Sequence, residues 1–378
     1  MKLIHLSDLH IGKRVNEFPM LEDQKYILDK ILTIIGDERP DGVILAGDIY
    51  DKSVPSAEAV ALFDDFLVRL TELGQTVFMI SGNHDSAERI AFGGRIMESS
   101  HVFVSPVFDG QAKAVPFTRD GVKVNLYLLP FVKPVQVRHQ FEDESITDYS
   151  TAMAACIEKM NVDTEEINIL VTHQFVTGAA RCDSEELSVG GTDNVDAEVF
   201  DAFDYVALGH LHGPQHVARE TIRYCGSPLK YSFSERNQVK SVTVLDIAGK
   251  GQIGIRTIPL KAKHDMREIR GSYAEVTLRD NYIGTKQDDY VHIILTDEND
   301  IPDALAKLRV IYPNLMRLEY DNTRTRTSNE ILAEEAQISK AEIDLLDELY
   351  ELQNGTHLSD AQREYAQALF ESIREEML

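Results

Sequence analysis

The sequence predicts an α/β fold, and three observations carry that prediction. Short apolar runs alternate with helical patterns over the first part of the chain. Polar clusters stand directly after the apolar runs. From about residue 259 the texture changes, first to a small mixed α+β pattern and then to an acidic helical one.

The elements follow in order. Lys2–Leu6 reads as a strand, with His5 inside it as a core histidine. Residues 26–35 place Tyr26, Ile27, Ile31, Ile34 and Ile35 at helical period. Gly42–Ala46 is a second strand, 57–73 a second helix with Val60, Phe63, Leu67 and Leu70 on one face, and 77–80 a third strand. Two successive strand–helix–strand units imply parallel strands buried on both sides. Further strands are expected at 124–129, 167–172, 205–208 and 239–247. Residues 261–264 read as a linker. Beyond it 274–278, 291–295 and Leu315–Tyr320 read as strands, with 301–310 as a helix between two of them. Residues 321–328 are loop-like. After them Ile331, Ile338, Ile343, Leu345, Leu346, Leu349 and Leu352 make one helix, Asn354-Gly355 breaks it, and Ser359 caps a second one carrying Tyr365, Leu369 and Ile373. The expected domains are 1–260, 265–325 and 329–378.

Bulk properties bound the function. The 378 residues suffice for two or three domains of roughly 100–200 residues each. The chain contains no apolar run long enough (about 18 residues) for a membrane span. The opening MKLIHLSDLHIG passes from a strand into polar residues without the apolar core of a signal peptide. Cys156, Cys182 and Cys225 lie far apart and form no CxxC, which suits reduced thiols and a cytoplasmic location. The net charge of −25 argues against nucleic-acid binding through the overall field. It leaves room for a local basic patch, a metal-assisted contact or a basic partner.

The polar clusters carry the chemistry. Asp8 and His10 follow the first strand, Gly47-Asp48-Ile49-Tyr50-Asp51 the second and Gly82-Asn83-His84-Asp85 the third. Thr172-His173 ends a later strand, and Gly209-His210-Leu211-His212 follows another. Ligands of open α/β sheets bind beyond the carboxyl ends of the strands, so five distant segments aim at one edge. Asp8, His10, Asp48, Asn83, His173, His210 and His212 offer carboxylates, an amide oxygen and imidazoles but no thiolate, a set suited to Mn, Fe or Zn. They are too many for one ion and enough for two, with Asp48 the candidate bridge. Two divalent ions about 3.5–4 Å apart cleave phosphoesters. His84 is placed to help at the attacked phosphate or the leaving oxygen, with Asp51 or Asp85 as the carboxylate behind it. Gly-Asn-His-Asp alone could be a turn. Its coincidence with four other strand-end clusters makes it part of a site.

DLH, GDIYD, GNHD, a strand-terminal TH and GHLH, in this order, resemble the motif set of the calcineurin-like metallophosphoesterases. HLSDLHIGK, GGTDNVDAEVFDAFDYVALGHLHGPQ and YCGSPLKYSFSE narrow the resemblance to the bacterial SbcD family of nuclease subunits. It implies a four-layer β-sandwich flanked by helices, a small α+β capping domain that helps select DNA, and C-terminal helices that dock on a partner. It also implies two manganese ions, with Mg2+ or Fe2+ as alternatives. One would be held by Asp8, His10, Asp48 and His212, the other by Asp48, Asn83, His173 and His210. His84 would serve the transition state or leaving group, oriented by Asp51. The implied activity is hydrolysis of DNA phosphodiesters in repair, recombination and replication, as a 3′→5′ double-strand exonuclease and a single-strand and hairpin endonuclease. The implied partner is an SbcC-type ABC ATPase with a long coiled coil, in an assembly with two copies of each chain. The alternative is a small-substrate metallophosphatase or cyclic-nucleotide phosphodiesterase with the same metals. Lys13, Arg14, Arg89, Arg95, Lys133 and Lys230 are candidate DNA contacts.

Overall fold

The computed structural model of the chain describes residues 1–112, 114–185, 194–323, Thr325 and scattered positions between 343 and 370. Two six-stranded sheets dominate it. The first runs in the order Gln252–Pro259, Ser241–Gly249, Lys2–Leu6, Gly42–Ala46, Thr76–Ile80, Val102–Val104. Its last four strands are parallel, and Ser241–Gly249 joins Lys2–Leu6 antiparallel. The second runs Gln215–Val217, Arg219–Tyr224, Tyr205–Gly209, Ile167–His173, Val122–Leu128, Ala114–Arg119. Its four central strands are parallel, with antiparallel strands at both edges.

Strand alternation explains the layers. Leu3, Ile44 and Phe78 of the first sheet meet Leu126, Ile169 and Ala207 of the second in one buried cluster. Ile4, Val43, Leu45 and Val77 point the other way, onto Ile27, Ile31, Phe63 and Leu70 of two helices, Leu21–Glu38 and Ala57–Glu72. Tyr127, Leu170 and Val206 likewise cover Ala152, Met153 and Cys156 of the helix Tyr149–Met160. Helices, sheet, sheet and helix make four layers. Burial on both faces is why these strands read as continuous apolar runs.

Contact density divides the chain into two compact units. One comprises 1–269, 276–293 and 305–318, and the other 270–275, 294–304 and 319–378. A three-stranded sheet runs Met266–Gly271, Tyr290–Leu295, Leu315–Tyr320. The expected strand at 274–278 is instead a short helix, Tyr273–Thr277. Tyr, Val and Thr favour strands, but a reciprocal cap overrides them. The Ser272 amide donates to Glu275 Oε2 at 2.8 Å, and the Glu275 amide to Ser272 Oγ at 3.3 Å. The strand falls just before it, at Met266–Gly271, directly after the residues read as a linker. The helix expected at 301–310 is Ala304–Arg309. Of the terminal helices, Ile343, Leu346, Leu349, Tyr365 and Leu369 are helical, and the Gln362 amide donates to Ser359 Oγ. Ile331, Ile338, Leu345, Leu352 and Ile373 lie outside the described residues.

Candidate metal centre

The carboxyl ends of the parallel strands carry the site. Loops from the first two strands of the chain zip together: the Asp8 amide donates to Gly47 O, His10 to Asp48 O and Ile11 to Ile49 O, at 3.1, 2.9 and 2.9 Å. This geometry uses left-handed backbone at non-glycine residues, with φ of 53° at Asp8, 44° at His10, 48° at Asp48 and 104° at His210. Such conformations cost about 1–3 kcal/mol each and persist only where the surroundings impose them. Here the imposed turns bring Asp8, His10, Asp48, His173 and His212 together in the interior, each no more than 2% exposed.

Asp48 is the hub. Its Oδ2 lies 3.3 Å from His173 Nε2, 3.5 Å from His10 Nε2 and 4.0 Å from His84 Nε2. Its Oδ1 accepts the His84 amide at 3.0 Å. Gly82 is required next to it, because a methyl group there would stand 2.1 Å from Asp48 Oδ1. His10 Nε2 faces His212 Nε2 at 3.0 Å. Asn83 Oδ1 faces His173 Nε2 at 3.0 Å and His210 Nδ1 at 3.1 Å. Asp8 Oδ1 accepts the His210 amide at 2.9 Å.

These donors fit divalent metal ions. His173 Nδ1 donates to the Ala46 carbonyl at 2.9 Å, so its proton is committed there. The neutral ring then points its Nε2 lone pair at two oxygens, those of Asp48 and Asn83, an arrangement a cation resolves. Without a cation a proton takes that place. Burial opposes it, but the Asp48 carboxylate raises the His173 pKa to about 9. Burial also pushes Asp8 up to about 6, against the pull of His173 and His212. Asp48 is pushed up by burial as well, yet His173 and His10 hold it well below the carboxylate range. Donor atoms of Asp8, His10 and His212 lie within 4.8 Å of one another, as do those of Asp8, Asp48 and His173.

His84 stands at the edge of this set, its ring edge-on to His10 with centroids 4.8 Å apart. His84 Nδ1 meets Asp51 at 3.1 Å, through the Asp51 main-chain carbonyl. The Asp51 carboxylate is engaged elsewhere, by Lys13 Nζ at 2.6 Å. Asp85 ties the loops: its carboxylate accepts the amides of Ile49, Tyr50 and Gly82 at 3.1, 2.9 and 2.9 Å. His5 is fully buried, with Nδ1 3.0 Å from Tyr205 Oη, away from the donor set. Lys230, expected as a DNA contact, pairs with Asp265 at 2.8 Å.

Sequence reading missed the layer beneath. Gln24 Nε2 donates to His10 O at 2.6 Å while its Oε1 accepts the Gly12 amide at 2.9 Å, and Tyr231 Oη donates to Leu9 O. Below His212, Ser184 Oγ lies 2.7 Å from Nδ1 and donates to Glu235 Oε1 at 2.6 Å. Lys240 Nζ pairs with Glu235 and donates to His212 O at 2.8 Å. Burial pushes Glu235 up, but His212 and Lys240 outweigh it and keep it ionised. The repetition of polar residues through YSFSE was the available signal; their partner lies at 184, where no periodicity points.

The calcineurin-like phosphoesterase family matches residues 1–214, and the type 5 capsule protein repressor C-terminal domain matches 262–354. The SbcD subunit of the SbcCD nuclease of Staphylococcus epidermidis is 34% identical over 380 residues, covering 99% of both chains. Among solved structures, a dimetal phosphatase from Danio rerio aligns over 69% of this chain and 99% of its own, at 11% identity and a TM-score of 0.39. NAD nucleotidase of Haemophilus influenzae aligns over 89% of this chain and 67% of its own, at 13% identity and a TM-score of 0.35. No helix among the described residues is long and apolar enough to cross a membrane.

Proposed function

The chain belongs to the calcineurin-like phosphoesterases, within the SbcD family of nuclease subunits, and from that membership we propose how it cuts DNA. It is a metal-dependent nuclease. The observation that carries the mechanism is the convergence on Asp48 of imidazole nitrogens from three different strand ends, with His84 at the margin. Asp8, His10, Asp48 and His212 would hold one divalent ion, and Asp48, Asn83, His173 and His210 the other, with Mn2+ the ion we assign. Bound there, the pair supplies Lewis acidity that acidifies water and offsets charge building on the phosphoryl oxygens.

The chain's own residues do the rest. The Ala46 carbonyl fixes the tautomer of His173, and Ser184, backed by Glu235, aligns His212. His84 donates its Nδ1 proton to the Asp51 carbonyl, which leaves Nε2 turned toward the Asp48 side of the site. From there, carrying a second proton on Nε2, it gives that proton to the leaving oxygen of the cut phosphodiester and returns to the neutral ring, a contribution of about 10²–10⁴ in rate. The products are a strand end with a phosphate and one with a hydroxyl.

The assay is Mn2+-dependent cleavage of a double-stranded oligonucleotide beside bis-p-nitrophenyl phosphate. His84→Gln should keep its full complement of manganese and lose DNA cleavage by at least about 10²-fold. Cleavage by that variant at the unmodified rate would remove the proton-transfer role. Hydrolysis of the small ester with no cleavage of DNA would favour a small-substrate phosphatase.

We assign residues 265–325 to capping and DNA selection, and 329–378 to docking on an SbcC-type ABC ATPase, in a cytoplasmic assembly with two copies of each chain. The name of the S. epidermidis relative, a subunit of SbcCD, supports a complex. A chain lacking 329–378 should keep phosphodiesterase activity and fail to co-purify with the ATPase; retained binding would end the docking assignment.

A further inference from the structure

A second recess lies beside the metal centre. It is a cavity of about 400 Å³ whose lining includes Phe108, Pro130, Phe131 and Val135. Phe131 joins it to the site. The Phe131 amide donates at 3.0 Å to the carbonyl of Ser81, the residue that opens the SGNHD turn. Its ring stands edge-on to His173, with centroids 6.4 Å apart and planes at 84°. Ala87 and Glu88, just past the same turn, also line the cavity. The second aromatic wall is braced, since Phe108 packs edge-on against Phe141 at 6.1 Å.

The cavity is also lined by polar residues of one helix. Gln136, His139 and Gln140 occupy positions i, i+3 and i+4 of the helix Pro134–Phe141 and all line the cavity. The Lys133 amide donates to Gln136 Oε1 at 3.0 Å, so the Gln136 amide group offers its NH2 as a donor. Gln140 is held the other way round: its Nε2 donates to Asp109 O at 2.8 Å, and its oxygen remains an acceptor. Among the described residues no lysine or arginine lines the cavity, which speaks against a phosphate. Aromatic walls with a few amide donors and acceptors suit a flat, uncharged heteroaromatic ring.

We propose that this cavity takes one unstacked nucleobase of the strand being cut, laid on Phe131 with its edge toward Gln136 and Gln140. The proposal rests on the nuclease function above. The sugar-phosphate then leads from the cavity to the metal centre along Phe131, the residue the two share. A base must leave its stack to enter, so the cavity selects frayed ends and single strands over closed duplex.

The test uses the full-length protein with Mn2+ and single-stranded oligonucleotides that contain one cleavable phosphodiester among phosphorothioates. A single abasic residue is moved through the positions flanking that bond. At one position, loss of the base should raise KM about 10-fold, the usual worth of one base–aromatic stack. Phe131→Ala should raise KM by a similar factor on the intact oligonucleotide and erase the penalty at that position. A wild-type protein indifferent to the abasic position overturns the proposal, and that arm requires no variant to fold. A Phe131→Ala penalty that adds to the abasic penalty overturns it as well. Failure of the wild type to cut the intact oligonucleotide removes the nuclease function itself, whereas cutting without a positional penalty removes only the cavity's role.

Discussion

Gly209 is the position where one added methyl group should do the most damage. It ends the strand Tyr205–Gly209 in the second sheet, in register with His173 on the neighbouring strand. A Cβ at this position would lie 1.9 Å from the Ala46 carbonyl oxygen and 2.5 Å from His173 Nδ1. Ordinary contact begins at 3.4 Å, so the first sheet and the second must part by about 1.5 Å at that point. No side-chain rotation can relieve it, because Ala46 presents backbone. The movement strikes the carbonyl that accepts the His173 proton and separates candidate ligands supplied by the two sheets. Overpacking of this kind costs about 1–3 kcal/mol or more. A displacement of about 1 Å in a catalytic constellation costs on the order of 10²-fold in rate. Gly209→Ala should therefore lower the thermal midpoint by at least ~3 °C and Mn2+-dependent kcat/KM by about 10²-fold. Thermal unfolding and oligonucleotide cleavage measure both. A variant with an unchanged midpoint and unchanged activity would refute the close approach and the account of His173 built on it.

Two further predictions follow from groups that sequence reading placed differently or missed. Asp51→Asn preserves the main-chain carbonyl that holds His84, so cleavage should fall less than about 10-fold, against at least about 10²-fold for His84→Gln; equal losses measured side by side would return the role to the carboxylate. Lys240→Met strands the buried Glu235 carboxylate and should cost about 3–5 kcal/mol in urea unfolding. The double variant Glu235→Leu/Lys240→Met should be destabilised by less than the sum of the two single changes, and simple additivity would show that the pair is not coupled.

The strand-end histidines and carboxylates were legible because two rules act locally. Both faces of a parallel strand are buried, so the run is apolar to its end, and a polar cluster there stands out. Asp8, Asp48, Asn83, His173, His210 and His212 all surfaced this way. Sheet order did not, since nothing in Ser241–Gly249 announces that it pairs with Lys2–Leu6. The atom by which Asp51 meets His84 was equally hidden, because a turn can present a carbonyl or a carboxylate and only Lys13, brought from another loop, decides which. Tyr273–Thr277 misled in the opposite direction: side-chain preference pointed to a strand, and a two-residue hydrogen-bond exchange with Ser272 reversed it. Ser184, Glu235 and Lys240 support His212 from segments that only the fold brings together.

The placement of the first strand has a consequence for the chain as it is made. Lys2–Leu6 leaves the ribosome long before its antiparallel neighbour, Ser241–Gly249. Asp8 and His10 hang on that strand, and their partners His210 and His212 come some 200 residues later in translation. At about 5–20 residues per second, tens of seconds separate the two ends of the site. Through that interval no stretch of nascent chain holds the complete set of candidate ligands. On the proposed ligand assignment, the nuclease stays inert until its scaffold has closed.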